Sequence, residues 1–173
     1  MKNNRQWIIT IFILTFILAI LFSAISNCIA ASFNEVVLAI ILVTVIIIGI
    51  MFDCVGVAVI TANEATFHSM SSKKIKGAKE TISLIKNSSR ISSICNDVVG
   101  DVCGIISGGL GAVLAISLST TTGINNTVIS VIISSFISSF TVGGKAIFKS
   151  VAMKNADSII FVVGKLKHLL KIK

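Results

Sequence analysis

The 173-residue chain has no proline, no tyrosine and a single tryptophan, and only 13% of its residues are charged, about half the share of an ordinary soluble domain. Each shortage excludes something. Without tyrosine, the interfacial aromatic belt common in membrane proteins is reduced to Trp7. The four cysteines contain no Cys-x-x-Cys pair, and His68 and His168 lack partners at zinc spacing. Cys28 is expected outside, while Cys54, Cys95 and Cys103 fall at membrane depth and read as inert, buried thiols. No phosphate-binding loop, Gly-x-Ser-x-Gly or His-Glu-x-x-His sequence occurs, so no residue is a candidate for catalysis and the chain is not read as an enzyme.

What is present in excess is apolar residue, 54% of the chain, combined with a net charge of +8. A chain this apolar is not disordered. Nor is it a plain nucleic-acid binder, because no aromatic residues interleave with its lysines. It reads as an integral membrane protein. Four apolar runs, at about residues 7–26, 36–60, 98–118 and 127–142, approach the roughly 20 residues that cross about 30 Å of hydrocarbon. The predicted fold is therefore all-α and polytopic, with four transmembrane helices.

The cations set the orientation. Lys2 and Arg5 precede the first run; Lys73, Lys74, Lys76, Lys79, Lys86 and Arg90 lie between the second and third; seven lysines, from Lys145 to Lys173, follow the fourth. The loops 27–35 and 119–126 have none. Cytoplasmic segments carry the positive excess, so both termini are expected inside a bacterial cytoplasmic membrane. The first run also has the basic start of a signal peptide, with a poor cleavage site at Cys28-Ile29-Ala30; cleavage would leave three spans and the same cytoplasmic C-terminus.

Two basic segments have amphipathic patterns. Ile75, Ala78, Ile82 and Ile85 share one helical face, and Asn87-Ser88-Ser89 interrupts that helix and can cap the next. In the tail, Asn155 or Asp157 can cap a helix that carries Ile159, Val162, Val163, Leu166, Leu169 and Leu170 on one side and lysines over much of the rest. Both are expected to rest on an anionic inner leaflet.

Acids are the costly residues. Placing one in a span costs roughly 2.5–3.5 kcal/mol on insertion scales, less near an end. Asp53 lies inside the second run, and Asp97 and Asp101 open the third at i, i+4. Together with Glu64, and with the neutral oxygens of Thr61, Asn63 and Asn96, they belong near the inner ends of two adjacent spans. Oxygen-rich, carboxylate-bearing sites suit hard cations such as Mg2+. The alternative is that these acids only pair with lysine or arginine at the interface. Gly100, Gly104, Gly108 and Ala112 form a small-residue series in the third span, and Ser130, Ser134 and Ser138 a stripe in the fourth; both predict close helix packing, within the chain or against a second copy. The serine hydroxyls can instead bond the carbonyl of the preceding turn.

Three stretches resemble the CNNM/CorB/CorC transmembrane domain, a family associated with Mg2+ and Co2+ transport. Thr61-Ala62-Asn63-Glu64-Ala65-Thr66-Phe67-His68-Ser69 is similar to the family's Ser-Ala-x-Glu-Thr-Ala-Leu-x-Ser motif, and Lys76-Gly77-Ala78-Lys79 with Asn87-Ser88-Ser89-Arg90 to the segment after it. Val98-Val99-Gly100-Asp101-Val102 resembles the motif that starts the next helix, and residues 144–152 the one after the last helix. The resemblance implies a three-span core at about 36–152, including a juxtamembrane helix at about 64–93. An extra span with its external loop at 1–35 and a basic tail at 153–173 would flank it. It also implies a homodimer and a Mg2+ held by Thr61 and Asp101, with Glu64 matching the family glutamate. The departures are Asp101 in place of a neutral amide, Lys145 in place of a glutamate, Phe148 in place of a proline, and no cytosolic nucleotide-binding domains in this sequence.

The expected function is binding or transport of a divalent cation, Mg2+ before Co2+ or Mn2+. Thr61, Asn63, Glu64 and Asp101 would supply oxygens, and Asp53 and Asp97 negative field. A non-transporting scaffold or regulatory module of the same fold is the alternative, and a holin-like pore former a further one. Lipid and a second copy are the expected partners; nucleic acid is not.

Overall fold

The computed structural model describes the backbone of residues 2–32 and 34–170, and the side chains of 8–21, 23–24 and 34–170. Expectations for the side chains of Lys2, Arg5, Trp7, Cys28, Lys171 and Lys173 lie outside the described residues. Among those described, every regular element is helical: α1 (Lys2–Ser32), α2 (Glu35–Thr61), α3 (Glu64–Ser72), α4 (Ala78–Lys86), α5 (Ser88–Ser93), a π-helical segment (Ile94–Gly100), α6 (Asp101–Thr122), α7 (Asn126–Lys154) and α8 (Ala156–Leu169). Three stretches, Glu35–Thr61, Ser88–Thr122 and Asn126–Lys154, are long and apolar enough to cross a membrane, and Ile8–Leu21 within α1 is a shorter apolar helix. At 1.5 Å per residue α2 is about 40 Å long, enough for about 30 Å of hydrocarbon.

α2 matches the second apolar run to within a residue at each end. The next two helices are longer than their apolar runs, because nothing in the sequence stops them. α7 continues through Gly143 and Gly144 to Lys154. A glycine costs a helix only about 1 kcal/mol, whereas proline, which would end it, is absent. The third span begins at Ser88, and the π-helical segment, with its wider i→i+5 turn, absorbs the passage into α6.

The chain divides into two compact units, and α2 and α7 contribute to both. Unit 1 comprises Met1–Gly49 and Val98–Gly144. Here α1 packs on α6. Leu38, Leu42 and Ile46 are buried along one face of α2, and Val102, Cys103, Ser107, Leu110, Leu114 and Ala115 along α6. The Glu35 carboxylate at the start of α2 accepts hydrogen bonds from Ser117 Oγ (2.8 Å) and Thr121 Oγ1 (2.6 Å) near the end of α6, so the two helices run antiparallel. A Cβ on Gly111 would lie 2.3 Å from Ile137 Cδ1, so α6 and α7 meet at this glycine. Within the single chain most of the predicted small-residue stripe is uncovered. Gly100 is buried, but Gly104 and Gly108 face open space, with no atom within 4 Å of an added Cβ. Ser134 and Ser138 are exposed on α7, and Ser135 donates to the Val131 carbonyl at 2.7 Å, the local bond the sequence allowed for.

Unit 2 comprises Ile50–Asp97 and Lys145–Lys173. Cys54 and Ala58 of α2 pack with Ala152 and Ala156, where small side chains let the backbones approach. Val59, Phe67 and Ile160 form a second cluster, joined by Ile82, Ile85, Ile91 and Val163. α4 packs on α8 and on α3. The face of α4 predicted to lie on lipid is thus largely taken up inside the protein: Ala78 is fully buried, and Ile82 and Ile85 join the core, while Ile75 stays exposed. Gly77, at φ +90°, starts α4 in a left-handed turn, and a Cβ there would also press on the Lys165 backbone at 3.1 Å. Thirteen of the fifteen cations and five of the seven acids belong to unit 2, so it carries the whole net charge of +8.

Candidate functional site

Two breaks in unit 2 build the site. α2 stops at Thr61 because Asn63 caps α3, its side-chain oxygen accepting from the Ala65 N–H at 3.1 Å. α7 stops at Lys154, and Asn155 leads into α8. Asp157, in the first turn of α8, reaches back across 94 residues of sequence and accepts the Asn63 backbone N–H at 2.8 Å. That bond holds the two breaks side by side.

Between them lies a cavity of about 280 Å³ lined by Thr61, Asn63, Met153, Lys154, Asn155, Ala156, Asp157 and Ser158. The lining offers two hydroxyls, two amides, one carboxylate and one ammonium. The space is open to solvent and roomy enough for several waters beside these polar groups. The Thr61 hydroxyl donates to the Val57 carbonyl at 2.9 Å, which leaves its oxygen lone pairs as acceptors.

Of the six residues expected to bind metal, Thr61 and Asn63 meet in this cavity. Glu64 lies just beyond and bonds His68 at 3.0 Å, one turn along α3. Asp53 pairs with Lys145 at 3.5 Å, both side chains partly buried. Asp97 is exposed in unit 2, and Asp101 is exposed in unit 1. Among the described residues no three His, Cys, Asp or Glu side chains gather as a metal cluster. Asp157 was legible in the sequence only as a helix cap; no spacing rule links it to Asn63.

Comparison with protein-family models, with curated proteins and with solved structures finds no match.

Two further contacts brace the surroundings. Asn96, in the π-helical segment, packs so closely on α2 that a Cβ at Gly56 would lie 1.9 Å from its side-chain oxygen; its amide donates to Ser92 Oγ at 3.2 Å. Glu80 of α4 bonds His168 Nδ1 of α8 at 2.7 Å. That hydrogen bond, followed by one from its own backbone N–H, holds the Glu80 carboxyl below its usual pKa.

Proposed function

We propose that this chain is a polytopic membrane protein that binds a divalent cation, Mg2+ foremost, in the cavity between the end of α2 and the start of α8. One observation carries the reading: the Asp157–Asn63 bond brings a carboxylate beside Thr61 and Asn63, over a water-accessible space of about 280 Å³. Mg2+ gives up its waters reluctantly and is commonly held by one or two carboxylates with several waters retained, so a single carboxylate among neutral oxygens suits it. Co2+ and Mn2+ compete for such a donor set. Lys154 in the lining opposes the ion and favours weak, exchangeable binding. The proposal includes the kinship to the CNNM/CorB/CorC core; Thr61 is the position shared by that resemblance and the cavity. It also includes α1 as a fourth span, supported by a helix about 46 Å long. A cytoplasmic placement of unit 2 is supported by its thirteen cations, and a homodimer by the open stripe at Gly104 and Gly108.

The test is Mg2+-dependent thermal stabilisation of the purified protein. Ligand at about 100 times its Kd should add about 2.7 kcal/mol of stability. Asp157→Asn should abolish the effect. Wild-type protein that gains nothing from Mg2+, Mn2+ or Co2+ refutes the function. Loss in Asp101→Ala with binding intact in Asp157→Asn would move the ion to the position implied by the resemblance.

The Asp53–Lys145 pair favours a second reading, a scaffold that binds without transporting. The acid in the interior of α2 is neutralised by a cation, which removes a free carboxylate from any ion path along that helix. Flux into vesicles loaded with a Mg2+ indicator separates the two: binding without flux supports the scaffold.

A further inference from the structure

α8 has two apolar faces, and the protein covers one. Ala156, Ile160 and Gly164, at i, i+4, i+8, are buried in unit 2. Val162, Leu166 and Leu169 lie on the opposite side at i, i+4, i+7 and are 57%, 52% and 77% exposed. Lys165, exposed beside Leu166, flanks the stripe on one side and sits over the Phe161 ring, 4.4 Å from its centroid; Lys167, three residues after Gly164, falls on the buried side and is half-buried. After Asp157 the sequence contains four lysines and no acid. α8 also begins one residue after α7, a helix long and apolar enough to cross a membrane. A helix so placed starts where a span leaves the bilayer.

We infer that α8 lies in the headgroup layer of an anionic membrane surface, with Val162, Leu166 and Leu169 dipping toward the acyl chains and Lys165 pairing with lipid phosphate. An amphipathic helix with a cationic rim binds such a surface through buried apolar area and charge together. The described charge beside the stripe is the cation Lys165, and no acid follows Asp157 in the sequence, which matches an anionic lipid surface better than a mixed-charge protein interface. The two basic segments, alike in sequence, thus divide the work: α4 spends most of its apolar face on the core, and α8 keeps one for the membrane. The inference rests on α8 and the end of α7, and is independent of any cation in the cavity.

The test uses the full chain with Trp7→Phe and Leu166→Trp, reconstituted in vesicles of phosphatidylcholine, or of phosphatidylcholine with about one quarter phosphatidylglycerol. Tryptophan emission should be blue-shifted and quenched by lipids brominated high on the acyl chain, more strongly with phosphatidylglycerol. Lys165→Gln should reduce the preference for phosphatidylglycerol about fivefold. Val162→Trp, on the same stripe, should behave alike and guards against a local fault at position 166. Unquenched, water-like emission in both vesicles overturns the inference. So does blue-shifted emission without quenching, because a protein would then cover the stripe. Equal quenching in both vesicles overturns the role of the anionic headgroup.

Discussion

Substitution Gly164→Ala should loosen unit 2 by prising α8 from α4. The new Cβ would sit 2.0 Å from Thr81 Oγ1 and 2.9 Å from the Gly77 carbonyl oxygen, where ordinary contacts begin above 3 Å. Thr81 cannot simply turn away, since it is fully buried and its hydroxyl donates to the Gly77 carbonyl at 2.8 Å. The helices must therefore part by about 1 Å, and overpacking of this kind costs about 1–3 kcal/mol. Alanine returns up to about 1 kcal/mol through its better helix propensity. The net loss of about 1–2 kcal/mol corresponds to a roughly 5- to 30-fold rise in local opening. Amide hydrogen exchange on the detergent-solubilised protein should show this rise in α4 and α8, and not in residues 35–49 of α2. Adding Thr81→Ala removes the nearer clash and should restore part of the protection; the Gly77 carbonyl keeps its bond from the Thr81 N–H at 2.9 Å. Unchanged exchange in Gly164→Ala, or no rescue by the second substitution, would refute the close α4–α8 packing.

Other outcomes can be checked beside it. Lys145→Met leaves Asp53 without its partner and should cost about 1–3 kcal/mol, below the 3–5 of a fully buried pair because both groups keep some access to solvent; Asp53→Asn in the same chain should recover most of the lost folded yield. The Glu80–His168 bond should hold above the usual carboxylate pKa and fail as pH falls through the lowered value, since protonating Glu80 removes the acceptor. Exchange at the α4–α8 contact should accordingly rise in acid below pH 4.5, and Glu80→Gln should flatten that response. Gly104→Ala and Gly108→Ala should each stabilise the single chain by up to about 1 kcal/mol, because an added Cβ meets nothing and alanine is the better helix former. If the open stripe joins two copies, the same changes should weaken chemical cross-linking of the dimer.

Most of the helical architecture was legible in the sequence, because each apolar run is a local property. The limits of α2 follow from where its apolar residues begin and end. The extension of α7 past Gly143 and Gly144 was not legible from hydropathy, although the absence of proline permitted it. The two basic segments have similar periodicity, so the pattern could not say which apolar face packs inward. That depended on Gly77, Thr81 and Gly164, small or close-fitting residues whose importance lies in what they touch. The candidate site was half legible: Thr61 and Asn63 stand out as polar residues at the end of a span, but Asp157 joins them only through a contact between distant parts of the chain.

The sequence by itself therefore determined a helical chain with segments long and apolar enough to cross a membrane and cations concentrated in a few others, since length, hydropathy and charge are additive along a chain. Only the tertiary structure decided the pairings: Asp53 with Lys145, Glu35 with Ser117 and Thr121, Asp157 with Asn63. Such pairs are chosen by which helix ends the packing of small residues brings within hydrogen-bond reach, and that distance is not written in local spacing.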